Sequence, residues 1–219
     1  MMGLFGSLLW VSLYAALCCF GADGLFSAIL LRIAYWTVLF WYLYRRGRLS
    51  AYGFCLPRFA EMRLSCALLV IPAVQTALFG LAGVSGAAAL LSLLDALAEE
   101  TAFRALLPGL LCERTKLSAG RVALLTCLAF SLFHGVNLLS GAAPSAVLLQ
   151  MLYAFCAGYA FCATVLQTKS LLPAVILHAA INLTSGQQIS PLLTLAFSAL
   201  LAVYGIAVFS NTKKGSAYL

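Results

Sequence analysis

Of 219 residues, 64% are apolar and 9% are charged, against roughly 25% charged in ordinary globular domains. The charges are separated by long, continuous apolar runs, which excludes both a soluble fold and the alternating pattern of a membrane barrel. The net charge of +7 comes from basic residues lying between those runs with no recognition module among them, so the expected partner is the lipid bilayer and not nucleic acid. The fold class expected is all-α, a polytopic transmembrane helical bundle.

In chain order the apolar runs predict eight spans, at 4–20, 25–44, 64–84, 87–111, 121–139, 145–166, 171–185 and 190–209. The first lacks a basic leading segment and a small-x-small cleavage site, and reads as a retained span. Pro144, Pro173 and Pro191 stand at expected helix starts, where the missing amide hydrogen costs nothing. Glycine-rich or polar pieces at 21–24, 83–86, 140–141 and 185–188 separate spans. No repeat or soluble domain is visible, so residues 1–219 are expected to form one integral membrane domain.

Eleven of the 13 basic residues, all but Arg32 and Arg104, fall in alternate loops or the tail. They are Arg45, Arg46, Arg48, Arg58, Arg63, Arg114, Lys116, Arg121, Lys169, Lys213 and Lys214. Eight spans put all of them on one side, and the positive-inside rule then places both termini in the cytoplasm. The location expected is a cell membrane crossed several times. Arg32 is expected to be structural, snorkelling toward Asp23 or pairing within the bundle. The eight cysteines show no CxxC pair, so no disulfide framework is expected.

The fourth span carries Asp95, Glu99, Glu100 and Arg104 among Leu and Ala. A charge at the bilayer centre costs on the order of 3 kcal/mol, so such residues normally face a cavity. Glu100 and Arg104 are four apart and suit an ion pair. Glu99 points about 100° away from Glu100 on an α-helix and is free to meet a different neighbour. Both histidines, His134 and His178, are inside spans, and Asn182 shares a helix face with His178. Counting rise per residue puts Glu99 about 18 Å below the outer surface, with His134 and His178 about 20 Å and 10 Å above the inner one.

The chemistry these groups allow is narrow. GxSxG, a Ser-Lys pair, paired aspartates and HExxH are all absent. A glutamate and a histidine can deprotonate a water held between them. A second histidine and an asparagine can donate to the oxyanion of a tetrahedral intermediate.

These residues resemble the CPBP family, the CAAX proteases and bacteriocin-processing enzymes also known as Abi proteins. The family's motifs EExxxR, FxxxH and HxxxN stand here as Glu99 to Arg104, Phe130 to His134, and His178 to Asn182. The stretch from Ala154 through Gly158 to Leu172 resembles the small-residue helix and basic turn before the last motif, while Ala105 stands where the family often has Gly. The resemblance implies a catalytic core over 87–185 and a glutamate-dependent intramembrane endopeptidase with a water nucleophile. It implies that Glu99 and His134 activate water, that His178 and Asn182 form the oxyanion site, and that Glu100 and Arg104 support them. Asn137, one turn beyond His134, is a further supporting residue. No cofactor and no metal are expected.

The expected partner is a small membrane-associated peptide or membrane-linked protein substrate, entering from the membrane or cytoplasmic side, with a regulatory membrane protein as a second class of partner. Three rivals stay open. A non-catalytic scaffold or immunity protein would keep the fold, a transporter would use Glu99 and Asp95 for proton coupling, and a zinc site would take Glu99, His134 and His178 as ligands.

Overall fold

The structure, a computed structural model, describes residues 24–47, 49–81, 84–185 and 190–211, and among these there are helices and loops but no strand. Helix α1 is Leu25–Arg45. Helix α2 is Phe59–Phe79, a single run with short 3-10 turns inside it. Helix α3, Gly86–Glu100, passes through a π-helical turn, Thr101–Leu106, into α4, Leu107–Arg114. Helix α5, Ala119–Phe133, tightens into a 3-10 turn over His134–Leu138. Helices α6 (Pro144–Thr168), α7 (Leu172–Thr184) and α8 (Pro191–Asn211) complete the bundle.

Local chemistry sets these ends. Ser85 caps α3 by accepting the Ala88 amide at 3.1 Å. Gly80, at φ 72°, stops α2. Pro144 and Pro191 open α6 and α8, and Pro173 lies in the first turn of α7. Helix α6 packs against α5, α7 and α8, and α3 packs against α1 and α7. Small residues suit such packing: Ala96 and Ala98 in α3, Ala102 and Ala105 in the π-helical turn after it, and Ala157, Ala160 and Ala163 in α6 are all buried.

Among the described residues five helical runs are long and apolar enough to cross a membrane: Leu25–Arg45, Phe59–Phe79, Ala119–Leu138, Pro144–Thr168 and Pro191–Asn211. The expected eight is not reached for particular reasons. The run 4–20 lies outside the described residues. The fourth span forms a helix, but Asp95, Glu99, Glu100 and Arg104 interrupt its apolar character. The seventh forms α7, which is apolar but only 13 residues long. The third lies earlier than the hydropathy placed it, at Phe59–Phe79 and not 64–84.

The ends of the helices sort by charge. Arg46 Nη2 meets Glu113 Oε2 at 2.6 Å, the Arg58 amide donates to Thr168 O at 3.0 Å, and the Leu171 amide donates to Gly53 O at 2.9 Å. The ends of α1, α4 and α6 and the starts of α2 and α7 therefore share one face. Apart from Arg32 and Arg104, every described basic residue belongs to it. The described residues of the opposite turns, at 80–85, 139–143, 185 and 190, carry no charge.

The basic face is closed by the loop between α1 and α2. Tyr52, 3% exposed, lies against α4 at Gly109, where a Cβ would overlap its ring. Ser170 Oγ donates to Cys55 O at 2.6 Å, and Thr168 and Ser170 are sealed from solvent. The turn before α7 thus lies under this loop. The depth mismatch counted from the sequence does not keep the groups apart, because His178 reaches both Glu99 and Glu100.

Candidate active site

The last turn of α3 delivers two consecutive carboxylates. Glu100 is 0% exposed, and its Oε2 lies 3.2 Å from Arg104 Nε, itself 0% exposed. The i,i+4 pairing expected from the sequence is present. Arg104 is held from the other side by aromatic faces, its guanidinium carbon 4.2 Å from the Phe130 ring centre and 5.5 Å from that of Phe161. Room for it exists because residue 158 is glycine: a Cβ there would stand 3.1 Å from Arg104 Nη2 and 3.3 Å from Phe130. All six residues of the π-helical turn that carries Arg104 are buried, and such turns recur at functional sites.

His178 comes from α7, across the bundle. Its Nδ1 lies 2.8 Å from Glu100 Oε1, and its Nε2 lies 3.7 Å from Glu99 Oε2. A carboxylate can only accept, so Nδ1 carries the hydrogen and Nε2 faces Glu99. The sequence had Glu99 and Glu100 turning to different neighbours. They instead take the two nitrogens of one imidazole, whose edge is wide enough to span the angle between successive helical residues. The ring is fixed by Phe161, centre to centre 5.3 Å, and by the edge of Phe130 at 6.1 Å. The two glutamates differ in access: the Glu99 side chain is 15% exposed while Glu100 is shut away completely.

His134 sits where α5 tightens. Its Nδ1 is 2.9 Å from Phe130 O, an acceptor, so Nδ1 donates and Nε2 is left bare. His134, His178 and Asn182 line one cavity of about 700 Å³. Asn137 reaches elsewhere, donating to Gln150 Oε1 at 2.8 Å, and Gln150 also lines the cavity. Asp95 takes Arg32, Nε to Oδ1 2.6 Å, while Asp23 lies outside the described residues. Direct contact thus joins Glu99, Glu100, Arg104 and His178, and a shared cavity joins His178 to His134 and Asn182.

Sequence reasoning missed Gln75 and Tyr153, which line the same cavity. Gln75 is a lone amide in the apolar run of α2 and is 1% exposed; a solitary buried amide in a span is the signal that marks it. Among the described residues no three His, Cys, Asp or Glu side chains stand together as metal ligands do, and Cys55, Cys66, Cys112, Cys127, Cys156 and Cys162 are free thiols.

A multi-pass helical membrane protein with a buried glutamate–histidine centre is the class that this fold and this site define. Residues 82–184 match the family model described as type II CAAX prenyl endopeptidase Rce1-like. The matched segment holds all three motifs, and the family, part of CPBP, is one of proteases. Helices α1, α2 and α8 lie outside the match. No curated protein and no solved structure matches the chain.

Proposed function

We propose that the protein is an intramembrane endopeptidase that cuts a small membrane-associated peptide or membrane-linked protein with a water molecule activated at Glu99. The observation that carries this reading is the approach of the Glu99 carboxylate to His178 Nε2 at 3.7 Å, with Glu100 on the opposite nitrogen. That gap is too long for a direct hydrogen bond and short enough for one water to touch both groups.

Glu99, the more accessible carboxylate, takes a proton from the water as its oxygen attacks the scissile carbonyl carbon. His178, and not His134 as the resemblance implied, is the histidine beside Glu99, so in place of the oxyanion role expected of it its Nε2 accepts the second hydrogen of that water. Glu100, paired with Arg104, holds the Nδ1–H tautomer that leaves Nε2 available, the orienting role a buried carboxylate plays beside a catalytic histidine. The Asn182 carboxamide donates to the oxygen of the tetrahedral intermediate. His134 presents its bare Nε2 to the scissile N–H. When the C–N bond breaks, the proton held by Glu99 passes to the leaving amine, giving a carboxylate and an amine with no covalent enzyme intermediate.

The whole chain acts as one integral membrane unit, with its catalytic core over 87–185. The positive-inside rule sets its basic face in the cytoplasm, in a bacterial plasma membrane, and eight spans would bring both termini there. Purified protein in liposomes, incubated with a mixture of membrane-associated peptides and read by mass spectrometry, tests the activity. New termini are expected with the wild type and none with Glu99→Gln; a scaffold of the same fold would produce none with either.

A further inference from the structure

The cavity beside the histidines is walled by the same ends of three helices. Ser145 and Ala146 open α6, Ser185 comes directly after α7, and Pro191 and Thr194 begin α8. Those are the ends on the uncharged face, opposite the loops that carry the basic residues. The basic face itself is covered above α7 by the 49–58 loop, with Ser170 sealed beneath it. The cavity therefore leads from His178 toward the uncharged face.

Its lining sets what it can hold. Phe130, Leu149, Phe161, Ile181 and Phe197 supply apolar walls, and no Asp, Glu, Lys or Arg is among the lining residues. A charged occupant would lose its water with no partner to replace it. Yet the walls are not inert. Gln75 is tied at one end of its amide to Thr184 Oγ1 at 2.6 Å, while its other amide atom, Nε2, is buried without a hydrogen-bond partner among the described residues. The Tyr153 hydroxyl is likewise buried and unpaired. The Thr184 hydroxyl also lies 2.8 Å from Ala180 O, so its single proton serves one acceptor or the other; either way one end of the Gln75 amide is left over. A peptide unit offers both an N–H and a C=O, so an extended backbone satisfies that end whichever atom it is. Buried polar groups left unmade are costly, and two on the wall of one cavity point to an occupant that completes them.

We propose that this cavity is the peptide subsite of the protein: it admits an uncharged, apolar stretch of chain from the membrane face opposite the basic loops, in place of the cytoplasmic entry that the sequence reading allowed, and Gln75 hydrogen-bonds the backbone of that stretch. The proposal rests on the peptidase reading for the cleavage of the bound chain, but not for the binding itself. Gln75 lies on α2, outside the matched segment 82–184, and is a positioning residue for the substrate.

Two measurements on the full-length chain test it. In a background whose eight cysteines are replaced, Ser145→Cys and Lys116→Cys are treated with a membrane-impermeant maleimide in intact cells and in inverted vesicles. Labelling from opposite sides is expected; labelling of both from the Lys116 side overturns the entry route. In the second, full-length Glu99→Gln protein in liposomes is titrated with a photoreactive, end-blocked Leu/Ala octapeptide and with the same peptide carrying a central Asp. The half-saturating concentration is expected to rise about three- to tenfold in Gln75→Leu and Gln75→Met backgrounds, and at least about tenfold for the Asp peptide. Equal crosslinking in all these cases, with unchanged melting of the variants, overturns the subsite. Peptides that bind as expected but are never cut by the wild type leave the subsite standing and remove the peptidase reading.

Discussion

His178 Nδ1 stands 2.8 Å from Glu100 Oε1, a contact that joins α7 to the end of α3 across 78 residues of chain. Both groups are buried, and the contact extends through Glu100 Oε2 to Arg104 Nε at 3.2 Å and through His178 Nε2 to Glu99 Oε2 at 3.7 Å. One imidazole is thereby locked between a sealed carboxylate and a more open one. The sealed member keeps the ring in place; the open one is the carboxylate proposed to activate water.

Removing the sealed charge isolates a buried guanidinium. Glu100→Gln is expected to destabilise the protein by about 3–5 kcal/mol, because an uncompensated buried charge costs far more than the pair is worth. The double variant Glu100→Gln, Arg104→Met is expected to recover much of that loss without recovering activity. Thermal melts in detergent, read beside peptide cleavage, check both statements.

Gly158 is required by what lies against it. A side chain there would press on Arg104, Phe130 and Cys127 at once. Gly158→Val is expected to cost about 1–3 kcal/mol through overpacking and to lower cleavage by displacing Arg104. Gly120, in the first turn of α5, has open space around it, so Gly120→Ala is expected to leave the melting temperature the same or slightly higher.

Tyr52 on Gly109 holds the loop that covers the start of α7. Gly109→Ala is expected to push the ring away and destabilise the protein by about 1–3 kcal/mol. In a Tyr52→Leu background the same change should cost less, giving a coupling of at least about 0.5 kcal/mol in a double-mutant cycle. Additive melts would show that the two do not act through each other.

Cleavage is expected to be insensitive to chelators. Among the described residues no three His, Cys, Asp or Glu side chains stand together as metal ligands do: Glu99 and His178 meet at 3.7 Å, while His134 is joined to His178 only across the cavity. Activity of protein dialysed against EDTA, compared with the same protein after zinc is added back, decides this; loss on dialysis with recovery on zinc would establish a metal site.

Much of this was legible from the residues. Helical spacing gave the Glu100–Arg104 pair, and the three motifs gave every member of the proposed centre. The alternation of basic loops anticipated a single charged face. What escaped was whatever depends on a loop or a neighbouring helix. Hydropathy counted apolar residues across 64–84, but Gly80 ends α2 and the helix lies at Phe59–Phe79. The fold of the 49–58 loop leaves no periodic trace, yet it covers the turn that leads into α7. Asp95 finds Arg32, 63 residues earlier, a pairing that no spacing rule states. Gln75 looked like one polar residue in an apolar run, because the side chains it faces come from elsewhere in the chain.

The central claim is that Glu99, and not its buried neighbour, activates the water. The most direct test is the cleavage rate of Glu99→Gln on a peptide that the wild type cuts, measured beside its melting temperature. The rate is expected to fall by a factor of about 10² to 10⁴ while the melt stays near that of the wild type. A folded Glu99→Gln protein that cuts the peptide at the wild-type rate would contradict the account.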